Sequence, residues 1–206
     1  SDVCSSDLLL DYALEHFADG QGGFFDTSDD AHQLIRRPRN PFDNAEPSGW
    51  FAVANALITC AALGGDQAYR LQAEGALAVV EVVAETSPRA AGWGLAASCA
   101  LLAGPVQVAI SLADGFDEAR AQEKPMQGEA NEMVAAAAMA CSPGLVFAWG
   151  DPKDGLPLLS DRPAIAGKTT AYVCEGFICQ SPVTTLAALK SHIASLESTP
   201  TRPAKE

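Results

Sequence analysis

Along the first half of the chain, apolar residues recur at helical spacing, interrupted by one long stretch without a period. Residues 9–17, LLDYALEHF, predict the end of a helix, closed by the turn residues of ADGQGG. The following FFDTSDDAHQLIRRPRNPFDNAEPSG is rich in turn residues and predicts a loop far longer than the usual connection. Phe24, Phe25, Leu34, Ile35 and Phe42 offer it apolar anchors, so we expect it to be ordered. Residues 49–63 then place Trp50, Ala54, Leu57, Ile58 and Ala61 on one helical face. Ser48 is the expected N-cap, because its hydroxyl can accept an orphaned backbone N–H, and Gly64-Gly65 ends the helix. A second helix is predicted over 66–85, and a third from Ser87-Pro88, as N-cap and N1, to Ala103-Gly104. Short links between helices of similar length predict antiparallel hairpins.

After Gly104 the period changes. PVQVAIS (105–111) and GLVFAWG (144–150) are short, β-branched or aromatic runs bounded by glycine or proline, and predict strands. Between them, DEARAQ and NEMVAAAAMAC have helical patterns. TTAYVCEGFICQSP (169–182) is a third strand-like region, and VTTLAALKSHIASL predicts a closing helix. Alternation of strands and helices marks residues 104–196 as a small α/β region. The polar, proline-containing residues 197–206 are expected to form a flexible tail.

Composition narrows the picture. A length of 206 residues suits one large domain or two small ones, and 48% apolar with 19% charged residues fits a soluble globular protein. The formal charge of −13 argues against nucleic-acid or anionic-membrane partners, whose phosphates would be repelled. No run reaches the roughly 20 apolar residues that span a bilayer. Residues 1–8, SDVCSSDL, match a translated reading frame of a common sequencing-library adapter, and we expect them to be non-native residues fused to a fragment. Five cysteines remain: Cys60, Cys99, Cys141, Cys174 and Cys179. An odd number without a regular framework suits a reducing, cytoplasmic location.

The long loop concentrates candidate chemistry. Asp26, Asp29, Asp30, Arg36, Arg37, Arg39, Asp43, Asn44, Glu46 and Ser48 crowd into it, stiffened by Pro38, Pro41 and Pro47. Arg37 suits a clamp on a carboxylate or vicinal diol, and Asp43 suits hydroxyl recognition or acid–base work. Asp26, Asp43 and Glu46 are candidates for paired carboxylates. The competing reading is a self-satisfied Asp–Arg network that only ties the loop down. His16, His32 and His192 show no metal-site spacing, and no metal or other cofactor is expected. Cys174 and Cys179 form C-x4-C, which is neither a redox C-x-x-C nor half of a zinc site. A tight hairpin around Gly176 would bring the two sulfurs together as a possible thiol pair; the other reading is two packing thiols. AGKTT (166–170) lacks the leading glycine and following helix of a phosphate loop.

GGFFDTSDDAHQLIRRPRNPFDNAEPSG followed by a helix, together with TTAYVCEGFICQSPV, resembles the C-terminal part of the spermatogenesis-associated protein 20 family of thioredoxin-domain-containing proteins. Phe25, Asp26, Arg37, Pro38, Asp43, Asn44, Ala45, Pro47, Ser48 and Gly49 carry the first motif. Tyr172, Val173, Cys174, Cys179, Pro182 and Val183 carry the second. The resemblance implies a mostly α fold, with residues 9–103 as the last hairpins of a partial six-hairpin (α/α) toroid of the glycosidase and N-acylglucosamine 2-epimerase type. Its missing partners would be a thioredoxin-like N-terminal domain and the remaining hairpins. On this reading the 26–48 loop lines the toroid mouth. Asp26 and Asp43 would be catalytic, while Arg37, Asn44, Glu46, Ser48, Phe25 and Trp50 would bind a carbohydrate-like small molecule, for epimerase, isomerase or hydrolase chemistry. Trp50-Phe51 departs from the family pattern, which has asparagine and a small residue there. The alternative implied is a non-catalytic scaffold or regulatory module joined to the thioredoxin-like domain.

Overall fold

The computed structural model describes residues 5–32, 35–113, 128–176 and 178–198. About half of the molecule is helical, and a small four-stranded mixed sheet accompanies the helices. The chain divides into two compact units, Ser1–Ala61 with Gly65–Leu101, and Ala62–Gly64 with Leu102–Glu206.

The first unit holds α1 (Ser5–His16), the long loop, α2 (Gly49–Gly64) as far as Ala61, α3 (Gln67–Leu77), α4 (Val80–Thr86) and α5 (Gly92–Ala103) as far as Leu101. The predicted face of α2 is buried, and Phe51 joins it at 0% exposure. Burying an aromatic or aliphatic side chain of this size contributes about 1.5–3 kcal/mol, so this stripe is the main apolar payload of the unit. Two glycines make room for it. A Cβ on Gly94 of α5 would stand 2.7 Å from the Phe51 ring, and one on Gly23 would stand 2.2 Å from the Trp50 ring. Ser48 caps α2 as predicted, its hydroxyl accepting from Phe51 N at 3.2 Å, and Gly65 closes the helix with φ +76°.

Two helix boundaries differ from the prediction. The single helix expected over 66–85 is two, because α3 stops at Leu77 and α4 starts at Val80. Trp50 explains the break: its Nε1–H donates to the Ala76 carbonyl at 2.8 Å, engaging an acceptor that a continuous helix would offer to Val80. Ser87-Pro88 does not open α5. Pro88–Ala90 form a 3-10 turn, Ser87 makes no side-chain cap bond, and α5 begins at Gly92. Of the expected loop anchors, Phe24 is buried and Phe25 half-buried, whereas Ile35 and Phe42 are exposed. Leu34 lies outside the described residues.

The second unit carries β1 (Val106–Ser111), α6 (Glu129–Ala138), β2 (Leu145–Gly150), β3 (Thr170–Glu175), β4 (Ile178–Cys179) and α7 (Leu186–Ser198). Strand order is β2-β1-β3-β4, with β1 parallel to β2 and antiparallel to β3, which pairs antiparallel with β4. Every residue of β1 is buried, as befits a central strand covered on both faces. Val106, Val108 and Ile110 pack with Met133 of α6 and with Leu189 and Ile193 of α7. Ala109 packs instead with Ala62, Val146, Leu158 and Leu159. The predicted strands are thus present, in a small α/β part; DEARAQ and residues 199–206 lie outside the described residues. Among the described residues no helix is long and apolar enough to cross a membrane.

The Phe51–Gly94 contact is directly testable. A Cβ at Gly94 also meets Val80 Cγ2 at 2.9 Å, whereas one at Gly92 meets nothing within 4 Å. Gly94→Ala is therefore expected to lower the unfolding free energy in urea by about 1–3 kcal/mol. Gly92→Ala, in the same helix, is expected to be neutral or stabilising by up to about 1 kcal/mol.

Candidate functional site

The long loop is ordered by its own backbone before any side chain acts. Phe25 N donates to the Phe17 carbonyl at 2.8 Å, Asp26 N to Pro38 at 2.9 Å and Asp29 N to His16 at 3.0 Å. Further on, Asp43 N donates to the Ala90 carbonyl at 2.9 Å and Asn44 N to Glu46 at 3.0 Å. The prolines lower the entropy lost in adopting this path, since their φ is already fixed.

Asp43 sits where two helices begin. Its Oδ1 accepts from Ser48 N at 2.9 Å, and its Oδ2 accepts from Trp93 N in the first turn of α5 at 2.8 Å. Both carboxylate oxygens are therefore committed to backbone donors, at the helix ends where negative charge is most favourable. Arg37 is also committed. Its Nη2 donates to the carbonyls of His16 at 2.7 Å and Thr27 at 2.5 Å, its Nε donates to Thr27 at 3.1 Å, and its guanidinium lies 4.1 Å from the Phe25 ring centroid. A cation stacked on an aromatic face and bonded to carbonyls is a structural rivet.

The residues expected at one site thus fall into separate arrangements. Asp43 and Ser48 meet at the α2 start, and Phe25 and Arg37 meet beneath the loop. No ion pair joins Asp26, Arg37 and Asp43 among the described residues. Asp26, Asn44 and Glu46 are exposed. Trp50 is 7% exposed with its indole N–H bonded to Ala76, so its ring is part of the core and offers little face for sugar stacking.

Sequence reasoning counted Arg39 among the charged residues of the loop but missed its partner, Asp19. The Asp19 side chain, 3% exposed, accepts from Gln21 N at 2.7 Å and Gly23 N at 2.8 Å, and pairs with the Arg39 guanidinium. Burial alone pushes its carboxyl up, but the two N–H groups and Arg39 outweigh that and hold it below the usual carboxylate range. The available signal was the D-G-x-G-G turn, whose glycines let backbone N–H groups turn toward one carboxylate. Arg36, Arg37, Pro38, Arg39 and Asn40 line a shallow cleft of about 320 Å³.

A second grouping lies on the exposed surface. His16 Nδ1 stands 2.7 Å from Asp29 Oδ1, while Tyr12 and Ser28 donate to Asp30 at 2.9 and 2.6 Å. The hydrogen bond to Asp29 raises the His16 imidazole above its usual range, and bonds from Ser28 and Tyr12 lower Asp30. Ligand atoms of His16, Asp29 and Asp30 lie within 4.8 Å of one another. Each is already paired, and we assign no metal to them.

In the second unit, Cys174 and Cys179 are register partners across β3 and β4 and form a disulfide, so of the two readings left open the structure has the joined pair and not two separate packing thiols. Arg162 Nη2 lies 3.8 Å from Cys174 Sγ and 3.9 Å from Cys179 Sγ. No protein-family model and no curated protein matches the chain.

The buried Asp19 carboxylate generates a pH prediction. A carboxyl held below its unfolded value contributes stability that is complete above about pH 4 and is lost as pH falls through the lower folded value. In urea unfolding, the native chain is expected to be more stable than Asp19→Asn at pH 7. That advantage should shrink as pH is taken from about 4 to about 2. A gap that stays constant across this range contradicts the assignment.

Proposed function

We propose that this chain is a non-catalytic scaffold module, built from hairpins of an (α/α) toroid and a small α/β region, that serves a thioredoxin-like domain in a longer protein. The observation that carries this reading is the commitment of Asp43. Each Asp43 oxygen carries a backbone N–H at a helix start, which accounts for this carboxylate by a structural role and fixes it in place. Arg37, the expected clamp, is likewise bonded to main-chain carbonyls. The rigidity of the loop then serves architecture. The likeness of the two long motifs to thioredoxin-domain-containing proteins supports the choice of partner.

A second reading has its own support. The cleft lined by Arg36, Arg37, Pro38, Arg39 and Asn40 carries three arginines in an otherwise acidic chain. Arg36 has no hydrogen-bond or ion-pair partner among the described residues. Such a cleft suits an anionic polar molecule, a sugar phosphate among them.

Thermal-shift screening of the chain against sugars and sugar phosphates separates the two. The scaffold reading predicts no shift with any of them at concentrations up to millimolar. A concentration-dependent rise in Tm that Arg36→Ala abolishes, with the unliganded Tm unchanged, establishes the second reading and overturns the first.

A further inference from the structure

The disulfide of the second unit takes no part in the loop network that carries the scaffold reading. It joins β3 to β4, the strand at the edge of the sheet, and its two sulfurs differ in access. Cys174 is 1% exposed, while Cys179 is exposed. Arg162 brings a guanidinium to both sulfurs and is itself anchored: its Nη1 donates to the Leu158 carbonyl, and its own carbonyl accepts from the Ser111 hydroxyl on β1. Tyr172, whose hydroxyl donates to Pro163 at 2.6 Å, and the exposed acids Asp161 and Glu175 adjoin Arg162 and Cys174 along the chain.

One more group bears on the pair. Gln107 is the β1 register partner of Cys174, is buried, and donates through Nε2 to the Ala62 carbonyl at 2.5 Å. Its Oε1 is buried without a hydrogen-bond partner. Cross-strand partners have Cβ atoms about 5 Å apart, and a reduced Cys174 has an S–H donor that the disulfide lacks. With the disulfide formed this acceptor has no partner, and a reduced Cys174 would bring an S–H donor to its register position.

We propose that Cys174–Cys179 is a thiol–disulfide exchange site for an external dithiol, entered at Cys179 and released at Cys174. The thiolate of the dithiol attacks Cys179 Sγ and forms a new S–S bond there. The Cys174–Cys179 bond breaks, and its electron pair departs on Cys174 Sγ beside the Arg162 guanidinium, which stabilises the leaving thiolate. The second thiolate of the dithiol attacks its own sulfur in the mixed disulfide and expels Cys179 as a thiolate. The dithiol ends as a disulfide, two electrons have passed to the chain, and the two protons shed by the dithiol come to rest on Cys174 and Cys179. Exposure selects the sulfur attacked, because the incoming thiolate must reach it in line with the bond that breaks. This assignment uses only groups of the second unit and is independent of the scaffold reading.

The test uses the whole chain without denaturant, following the peptides that carry Cys174 and Cys179 by alkylation and mass spectrometry. Dithiothreitol is expected to reduce the pair while far-UV circular dichroism stays unchanged. Arg162→Gln is expected to slow that reduction roughly three- to tenfold and to move the alkylation profile of Cys174 in the reduced chain to higher pH, with Arg162→Lys intermediate. With oxidised glutathione, Cys174→Ser should gain a mixed disulfide on Cys179, while Cys179→Ser should leave Cys174 unmodified. Reduction that requires urea overturns the proposal, as does a wild-type rate and pH profile in Arg162→Gln. Equal glutathione labelling of Cys179 in Cys174→Ser and of Cys174 in Cys179→Ser also overturns it, and this arm decides the matter if Arg162→Gln fails to fold.

Discussion

The first unit depends on one carboxylate placed between two helix starts. Every helix begins with N–H groups that lack a partner in the helix, and the aligned peptide dipoles leave a partial positive charge there. Asp43 answers this for two helices, capping α5 at Trp93 and holding Ser48, itself the cap of α2. Helix-capping bonds each contribute about 0.5–2 kcal/mol, so a single side chain has leverage over both elements. Ordering a loop this long costs about 1–2 kcal/mol of backbone entropy per residue. The loop meets that cost through Asp43, Arg37 on the His16 and Thr27 carbonyls, and Asp19 with Arg39.

This commitment shapes the functional reading. Polar density in a sequence marks a site only if some of those groups remain free to meet a ligand. Here the best-placed acid and the best-placed cation are bonded to main chain, and the tryptophan that might have stacked on a sugar ends a helix by capping Ala76. In the second unit two sulfurs meet at a sheet edge beside the Arg162 guanidinium. Reactivity and rigidity are thus invested in different parts of the chain.

Much of the fold was legible from local rules. Helical spacing identified the buried face of α2, the Ser48 cap follows from hydroxyl chemistry, and β-branched runs next to glycine or proline located β1 and β2. The C-x4-C spacing left open both a pair joined across a hairpin and two packing thiols, and the structure joins them. What sequence order conceals is which distant group completes a local arrangement. The division between α3 and α4 is set by Trp50, 26 residues away from the carbonyl it engages, and the α5 start is capped from Asp43, 50 residues earlier. A catalytic reading of Asp43 rested on its neighbours in the chain, but its partners are set by tertiary structure. Ile35 looked like an anchor by residue type and is fully exposed, because apolar character alone does not supply a core to enter.

Amide hydrogen exchange measured residue by residue tests the Asp43 account most directly. The N–H groups of Ser48 and Trp93 should both be strongly protected in the native chain. In Asp43→Ala they should lose protection together, while amides of β1 in the second unit keep theirs. Rapid exchange at either position in the native chain, or protection that survives Asp43→Ala, would contradict the claim that one carboxylate holds both helix starts.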